Sequence, residues 1–258
     1  MLLLLLMGTA ALLAPLLAPG DPSRIELTRI NMPPGPQHLL GTDALGRDLL
    51  SRALLGGRVS LAVGLAAAAI SALLGVTLGL AAAYGGGWLD VLVTRLVDAA
   101  LAVPAFFLLV AVQSVAGPGV PNVILMASLV GWMTVARIVR ALTLSLKERE
   151  FVLAARALGC SAIHIVVRHL VPNLAGQVAV LFALGVADAL LIESALSFLG
   201  MGVPAAEPSW GNMLADAQAA ILSGAWWTAA FPGVLILATT ISINLVGNGL
   251  AQAFGPNP

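Results

Sequence analysis

Lysine is almost missing from this chain: Lys147 stands alone against eleven arginines. A Walker-type phosphate loop needs a glycine-rich run that ends in Lys and then Ser or Thr. Lys147 is followed by Glu148, so any ATP chemistry has to come from another chain. Cysteine is equally scarce, and a lone Cys160 excludes an internal disulfide. Histidine occurs only at positions 38, 164 and 169, outside the long apolar runs, and no Gly-x-Ser-x-Gly elbow is present. Ser194 and Ser197 therefore have no histidine base within the membrane, and the chain is not expected to be an enzyme. Zero net charge gives no reason to expect a nucleic-acid partner.

Charge is the largest deficit. Charged residues make up 9% of the 258 residues and hydrophobic ones 60%, with a mean hydropathy of +1.02. Soluble domains carry about 25% charged residues. No soluble fold of this size hides so much apolar surface, so the composition predicts a polytopic membrane protein. The apolar runs are long and continuous, not short and alternating. They predict helices and exclude a barrel. The expected fold class is all-α, with six transmembrane helices.

Met1–Pro19 is the first expected span; a signal peptide would need a basic start, and the first basic residue is Arg24. Gly20–Arg58 is a polar connector, kept extended around Pro33, Pro34 and Pro36. Within it, His38–Leu55 has the spacing of a short amphipathic interfacial helix. Val59–Tyr84 is the second span, and Gly75 and Gly79, four apart, predict a close helix contact. Val91–Ala116 is the third, with Asp98 one turn from Arg95 and a kink at Pro104. Pro121–Leu146, Leu174–Leu199 and Gly233–Phe254 complete the six. Trp210, Trp226 and Trp227 fit a membrane–water boundary.

The main polar interruption is Glu150–Asn173, EFVLAARALGCSAIHIVVRHLVPN. It predicts two short helices, broken at Gly159 and restarted at the N-cap Ser161, the second ending before Pro172. Ala154, Ala155 and Ala157 leave a shallow surface that a partner could approach closely. Lys147, Arg149, Arg156 and Arg168 make the segment basic, which assigns it to the cytoplasm. Six spans then put both termini inside, with seven basic residues on the inner side against five outside.

Ala154-Ala155, Gly159 and Pro172 fall in the register of Glu-Ala-Ala, three residues, Gly, nine residues, then an apolar residue, any residue, Leu and Pro. This stretch resembles the coupling loop of bacterial ABC importer permeases. Leu153 stands where the pattern has Glu, and His169 and Val171 stand at its apolar and Leu positions. HLLGTDALGRDLLSRALLGGRVSLAVG, GGWLDVLVTRLVDAALAVPAFFL, ESALSFLGMGVPAAEPSWGNML and NLVGNGL extend the resemblance over roughly Leu12 to Phe254. They are similar to the second permease of the dipeptide, oligopeptide and nickel importer group; Asn248 stands where relatives often have Asp.

The resemblance implies a type I importer permease in the bacterial inner membrane. It implies a homologous second permease, two ATP-binding subunits and an external substrate-binding protein as partners, within the lipid bilayer. Residues 1–55 would supply the first helix and an outer connector, and residues 56–254 the transmembrane domain. The coupling loop, 147–172, would use Glu150, Ala154, Ala155, Arg156, Gly159 and Pro172. Di- or oligopeptides are the expected cargo; nickel or another small solute suits the same architecture. An ion-coupled secondary transporter is the rival class, but it would leave the loop unexplained and show internal repeats. No cofactor is expected. Cys160 and His164 lie four apart, but His169 falls off their face, so no metal site is expected either. Asp98, Asp188 and Glu193 lie within spans, where acids are costly. They serve either helix packing, Asp98 with Arg95, or a translocation pathway.

Overall fold

The computed structural model describes residues 2–254; Met1 and residues 255–258, and with them the two chain ends, lie outside the described residues. Among the described residues the fold is all-α, with one isolated bridge between Thr42 and Asp48. Helix α1, Leu2–Leu12, is apolar but only 11 residues long, against the about 20 needed to cross a hydrocarbon core. Pro15 starts a last turn, α2 at Ala14–Leu17, since proline is tolerated at a helix start.

The expected amphipathic helix over His38–Leu55 does not form as one element. Residues 38–48 fold as turns, and α3 begins at Leu49. Asp48 sets that start: its Oδ2 accepts from the Ser51 N–H and from Ser51 Oγ, both at 2.8 Å. Glycines at 41 and 46 take φ of 81° and 75°, conformations that turn the chain before the helix.

Helix α3, Leu49–Gly85, is 37 residues long, about 55 Å at helical rise. It runs unbroken across position 55, and every other long helix touches it. It is followed by α4 (Gly87–Leu101), α5 (Ala105–Ala116) and α6 (Val120–Leu146). The predicted kink at Pro104 is a full break: α4 and α5 meet at 90°. Pro104 sits at φ −56° and ψ 123°, off the helical path, where it caps α5 instead of bending one long helix.

Helix α7, Glu150–Ala157, and α8, Ala162–Ile165, follow. A π-turn over Val166–Leu170 then leads directly into α9, Val171–Phe198. The second coupling helix was expected to end before Pro172, but the chain stays helical through it. The Val171 N–H reaches back five residues to the Val166 carbonyl, and the widened turn accepts a residue that has no N–H of its own.

The stretch expected as a connector after Gly200 contains α10, Trp210–Leu222, capped by Ser209. Helix α11, Trp227–Phe254, closes the bundle. Trp210 does not face outward from the bundle. It is buried, fits against Gly57, and donates from Nε1 to the Ala53 carbonyl at 2.9 Å. Trp226 and Trp88 do stand exposed.

The predicted glycine contact is present. Helix α3 packs most extensively on α6, then on α9. A β-carbon at Gly75 would meet Val135 Cβ at 2.5 Å, and one at Gly79 the Ala136 carbonyl at 2.7 Å. Among the described residues four helices, not the six expected, are long and apolar enough to cross a membrane: α3, α6, α8 through α9, and α11. The bent α4–α5 pair makes a fifth if it counts as one span. The chain is a multi-pass membrane protein.

Candidate functional site

Helices α3, α6 and α9 come together at one end of the bundle, where α7 is fastened across them. Val152 and Ala155 point inward and are buried with Leu80, Val135, Val139, Ile165, Leu170 and Leu174. The opposite face of α7 is bare: Glu150, Leu153, Ala154 and Arg156 are exposed. Of the predicted coupling residues, Ala155 thus anchors the helix to its own chain, and Glu150, Ala154 and Arg156 form its free surface. The Arg156 guanidinium lies 6.0 Å from the centre of the Tyr84 ring at the end of α3. Lys147 Nζ reaches the Ala83 carbonyl at 3.5 Å.

Gly159 takes φ of +78° and has open space around it. It is used for its left-handed conformation, which ends α7 and reverses the chain. Ser161 Oγ then accepts from the His164 N–H and caps α8. Pro172 is exposed just past the π-turn, and Asn173 Nδ2 donates to the His169 carbonyl at 2.6 Å. Leu158, Ile163 and Val167 extend the outer surface as exposed apolar side chains, 84%, 76% and 62% accessible. The sequence reading did not single them out, although their position beside the predicted loop was a usable signal. Phe151, His164 and His169 form an aromatic run beside them.

The three intramembrane acids are not brought together. Asp98 does not pair with Arg95. It accepts from Arg137 Nη2 at 2.7 Å, across from α4 to α6. An i,i+3 partner on the same helix loses here to a residue on the helix packed against it. Nearer the α7 end, Asp90 accepts from Arg140 Nε at 2.5 Å and Nη2 at 2.7 Å. These two pairs staple α4 to α6. Glu193 is fully buried, and its carboxylate accepts from Ser60 Oγ at 3.0 Å and Ser197 Oγ at 2.8 Å. Ser60 Oγ in turn accepts the Trp210 N–H, so one polar knot joins α3, α9 and α10.

Asp188 differs from both. It stands exposed on α9 at a cavity of about 470 Å³ between α3, α6 and α9. A larger cavity of about 780 Å³ between α1, α3, α9 and α11 is lined by apolar residues alone, among them Leu4, Leu65, Phe182 and Ile243.

A further charged group was not visible in the sequence. At the end of the bundle opposite α7, Asp43, Arg47, Arg52 and Asp216 form a largely buried ion cluster. Asp43 Oδ2 accepts from Arg47 Nε at 2.6 Å, and Asp43 Oδ1 accepts the backbone N–H of Leu45 and Arg47. Asp216 Oδ2 accepts from Arg47 Nη2 at 2.6 Å and Arg52 Nη2 at 2.9 Å. Two acids and two bases balance, as buried charges must. Asp216 lies 164 residues beyond Arg52, too far for any local pattern to reveal.

In sequence the chain is similar to several permease proteins. Over 248 residues it is 39% identical to a putative peptide permease protein of Brucella suis biovar 1 (strain 1330), covering 96% of this chain and 82% of that protein. It is 39% identical over 254 residues to the dipeptide transport system permease protein DppC of Bacillus subtilis (strain 168), covering 98% and 79%. A putative peptide transport system permease protein of Brucella melitensis biotype 1 is 40% identical over 256 residues, covering 99% and 86%. Residues 75–257 match the family described as binding-protein-dependent transport system inner membrane component. That match takes in α6, the α7 surface, the π-turn and α9, and it accords with the multi-pass architecture: the chain belongs to this family of transport-system membrane components.

Proposed function

We propose that this chain is one of two homologous permeases of an ATP-binding-cassette importer for di- or oligopeptides. Two copies of an ATP-binding subunit, or two related ones, drive it, and an external binding protein delivers the cargo. The observation that carries the reading is the half-covered helix α7. It is held to the bundle by Val152 and Ala155, while Glu150, Ala154 and Arg156 remain free. A rigid short helix fastened across three long ones passes a push from outside directly into the bundle. Gly159 sets the angle of the hairpin, and the π-turn before Pro172 carries it into α9 without a hinge. The peptide assignment draws support from relatives whose names specify peptide or dipeptide transport.

In this reading the chain crosses the inner membrane six times. Helices α1 and α2, separated by Leu13 alone, make the first crossing, and the bent α4–α5 pair counts as one. Burial of Ala14 and the contact of Met7 with Thr239 of α11 support a seated first helix. Both termini and α7 are then cytoplasmic, and α10 lies outside, facing the binding protein. Residues 56–254 are the transport unit, and residues 1–55 add the first crossing and the outer connector. Purification from the native membrane in mild detergent tests the assembly. A second permease and ATP-binding subunits should accompany the chain. Recovery of the chain without either, in every gentle detergent tried, would overturn the proposal.

A further inference from the structure

Asp188 is a charged side chain within a membrane-spanning helix, ten residues before the end of α9 at Phe198. That is about 15 Å along the axis. An ionised acid facing lipid is costly, so such residues face water or a partner. Asp90, Asp98 and Glu193 are each satisfied within the chain. Asp188 forms no ion pair and no hydrogen bond among the described residues. It opens into the cavity of about 470 Å³ between α3, α6 and α9, a volume in the range of small-ligand sites, about 300–1,000 Å³. Ser71 and Thr134 contribute hydroxyls to the wall, and Asp188 is the sole charged residue of the lining. Helices α1 and α11 pack on the other side of α9, around the wholly apolar cavity, so they do not cover this face.

Resting on the reading of the chain as a peptide importer permease, we propose that Asp188 receives the cationic amino terminus of the peptide in the translocation pathway. A carboxylate in a small, mostly apolar recess offers a strong directional contact to an ammonium group and little to the rest of the cargo. The geometry favours cargo over a permanent contact with the second permease. Two packed helical faces fill the space between them, and here the carboxylate sits in a hollow flanked by the small residues Ala68, Gly131 and Gly185. At Gly131 a β-carbon would meet Ser71 Oγ at 2.5 Å, so the floor of the recess depends on glycine.

The test uses the assembled complex in lipid nanodiscs without its binding protein, so that the binding protein's own selectivity does not enter. Radiolabelled alanyl-alanine and N-acetyl-alanyl-alanine are the probes. Asp188→Asn should weaken binding of alanyl-alanine about tenfold, the scale of one charge-assisted hydrogen bond, and leave the acetylated probe unchanged. Asp188→Glu should restore most of the difference. Equal loss for both probes, no loss for either, or no binding of alanyl-alanine by a wild-type complex that transports it would each overturn the assignment. Loss of the second permease from the Asp188→Asn complex would overturn it in favour of an inter-subunit contact. If the wild-type complex, with its binding protein present, imports no peptide, the functional reading itself fails, and that failure is distinguishable from the others.

Discussion

At Gly75 the backbone of α3 approaches α6 so closely that a methyl group would lie 2.5 Å from Val135 Cβ and 2.9 Å from the Trp132 carbonyl. Neither neighbour is a flexible side-chain end, so Gly75→Ala should destabilise the bundle by about 1–3 kcal/mol, the usual cost of overpacking. Thermal unfolding in detergent checks this. Gly249→Ala, in open space, should stay within about 0.5 kcal/mol of wild type. Charge supplies a second case. Asp43→Ala leaves Arg47 and Arg52 buried with only Asp216 between them. Removing one member of a buried ion group costs about 3–5 kcal/mol, and the same unfolding measurement should register it. Gly75 and Gly79 were visible in the sequence because small residues four apart mark one helix face. The ion group was not, because its members meet only after α10 folds back on α3.

At the scale of the element, α7 separates two kinds of change. Ala154 lies on its free face and Ala155 on its anchored face. Ala154→Trp should abolish peptide uptake by the reconstituted complex while the unfolding temperature of the isolated permease stays the same. Ala155→Trp should lower that unfolding temperature, because it forces an indole into the cluster around Val135 and Leu170. Uptake that is normal in the Ala154 variant would remove α7 from coupling. Gly159→Val places a β-branched residue at φ +78°, at a cost of about 1–2 kcal/mol; it should reduce uptake by misdirecting the hairpin. The sequence revealed that a helix, a glycine turn and a second helix stand here. It did not reveal that the second helix passes through Pro172. A proline rule marks a break, and only the neighbouring π-turn removes the conflict.

For the whole molecule, the orientation is open to a direct measurement. In a Cys160→Ser background, Ser223→Cys at the exposed end of α10 should react with an impermeant maleimide in spheroplasts and not in inverted vesicles. The reverse pattern would place α7 outside and exclude its contact with ATP-binding subunits. The sequence alone determined that the protein is helical and embedded in a membrane, because 60% hydrophobic residues in long uninterrupted runs leave no other solution. It also located the interruption that forms α7, because charge and glycine spacing are local properties of the chain. The tertiary structure decided which partners the charges take: Asp98 with Arg137, Asp90 with Arg140, and Arg47 and Arg52 with Asp216. It also decided which alanine of α7 is anchored and which is free, and, among the described residues, which acid within a span is left without a partner. These are contacts between segments far apart in the chain, chosen by which helix faces meet, and no spacing along a single helix encodes that choice.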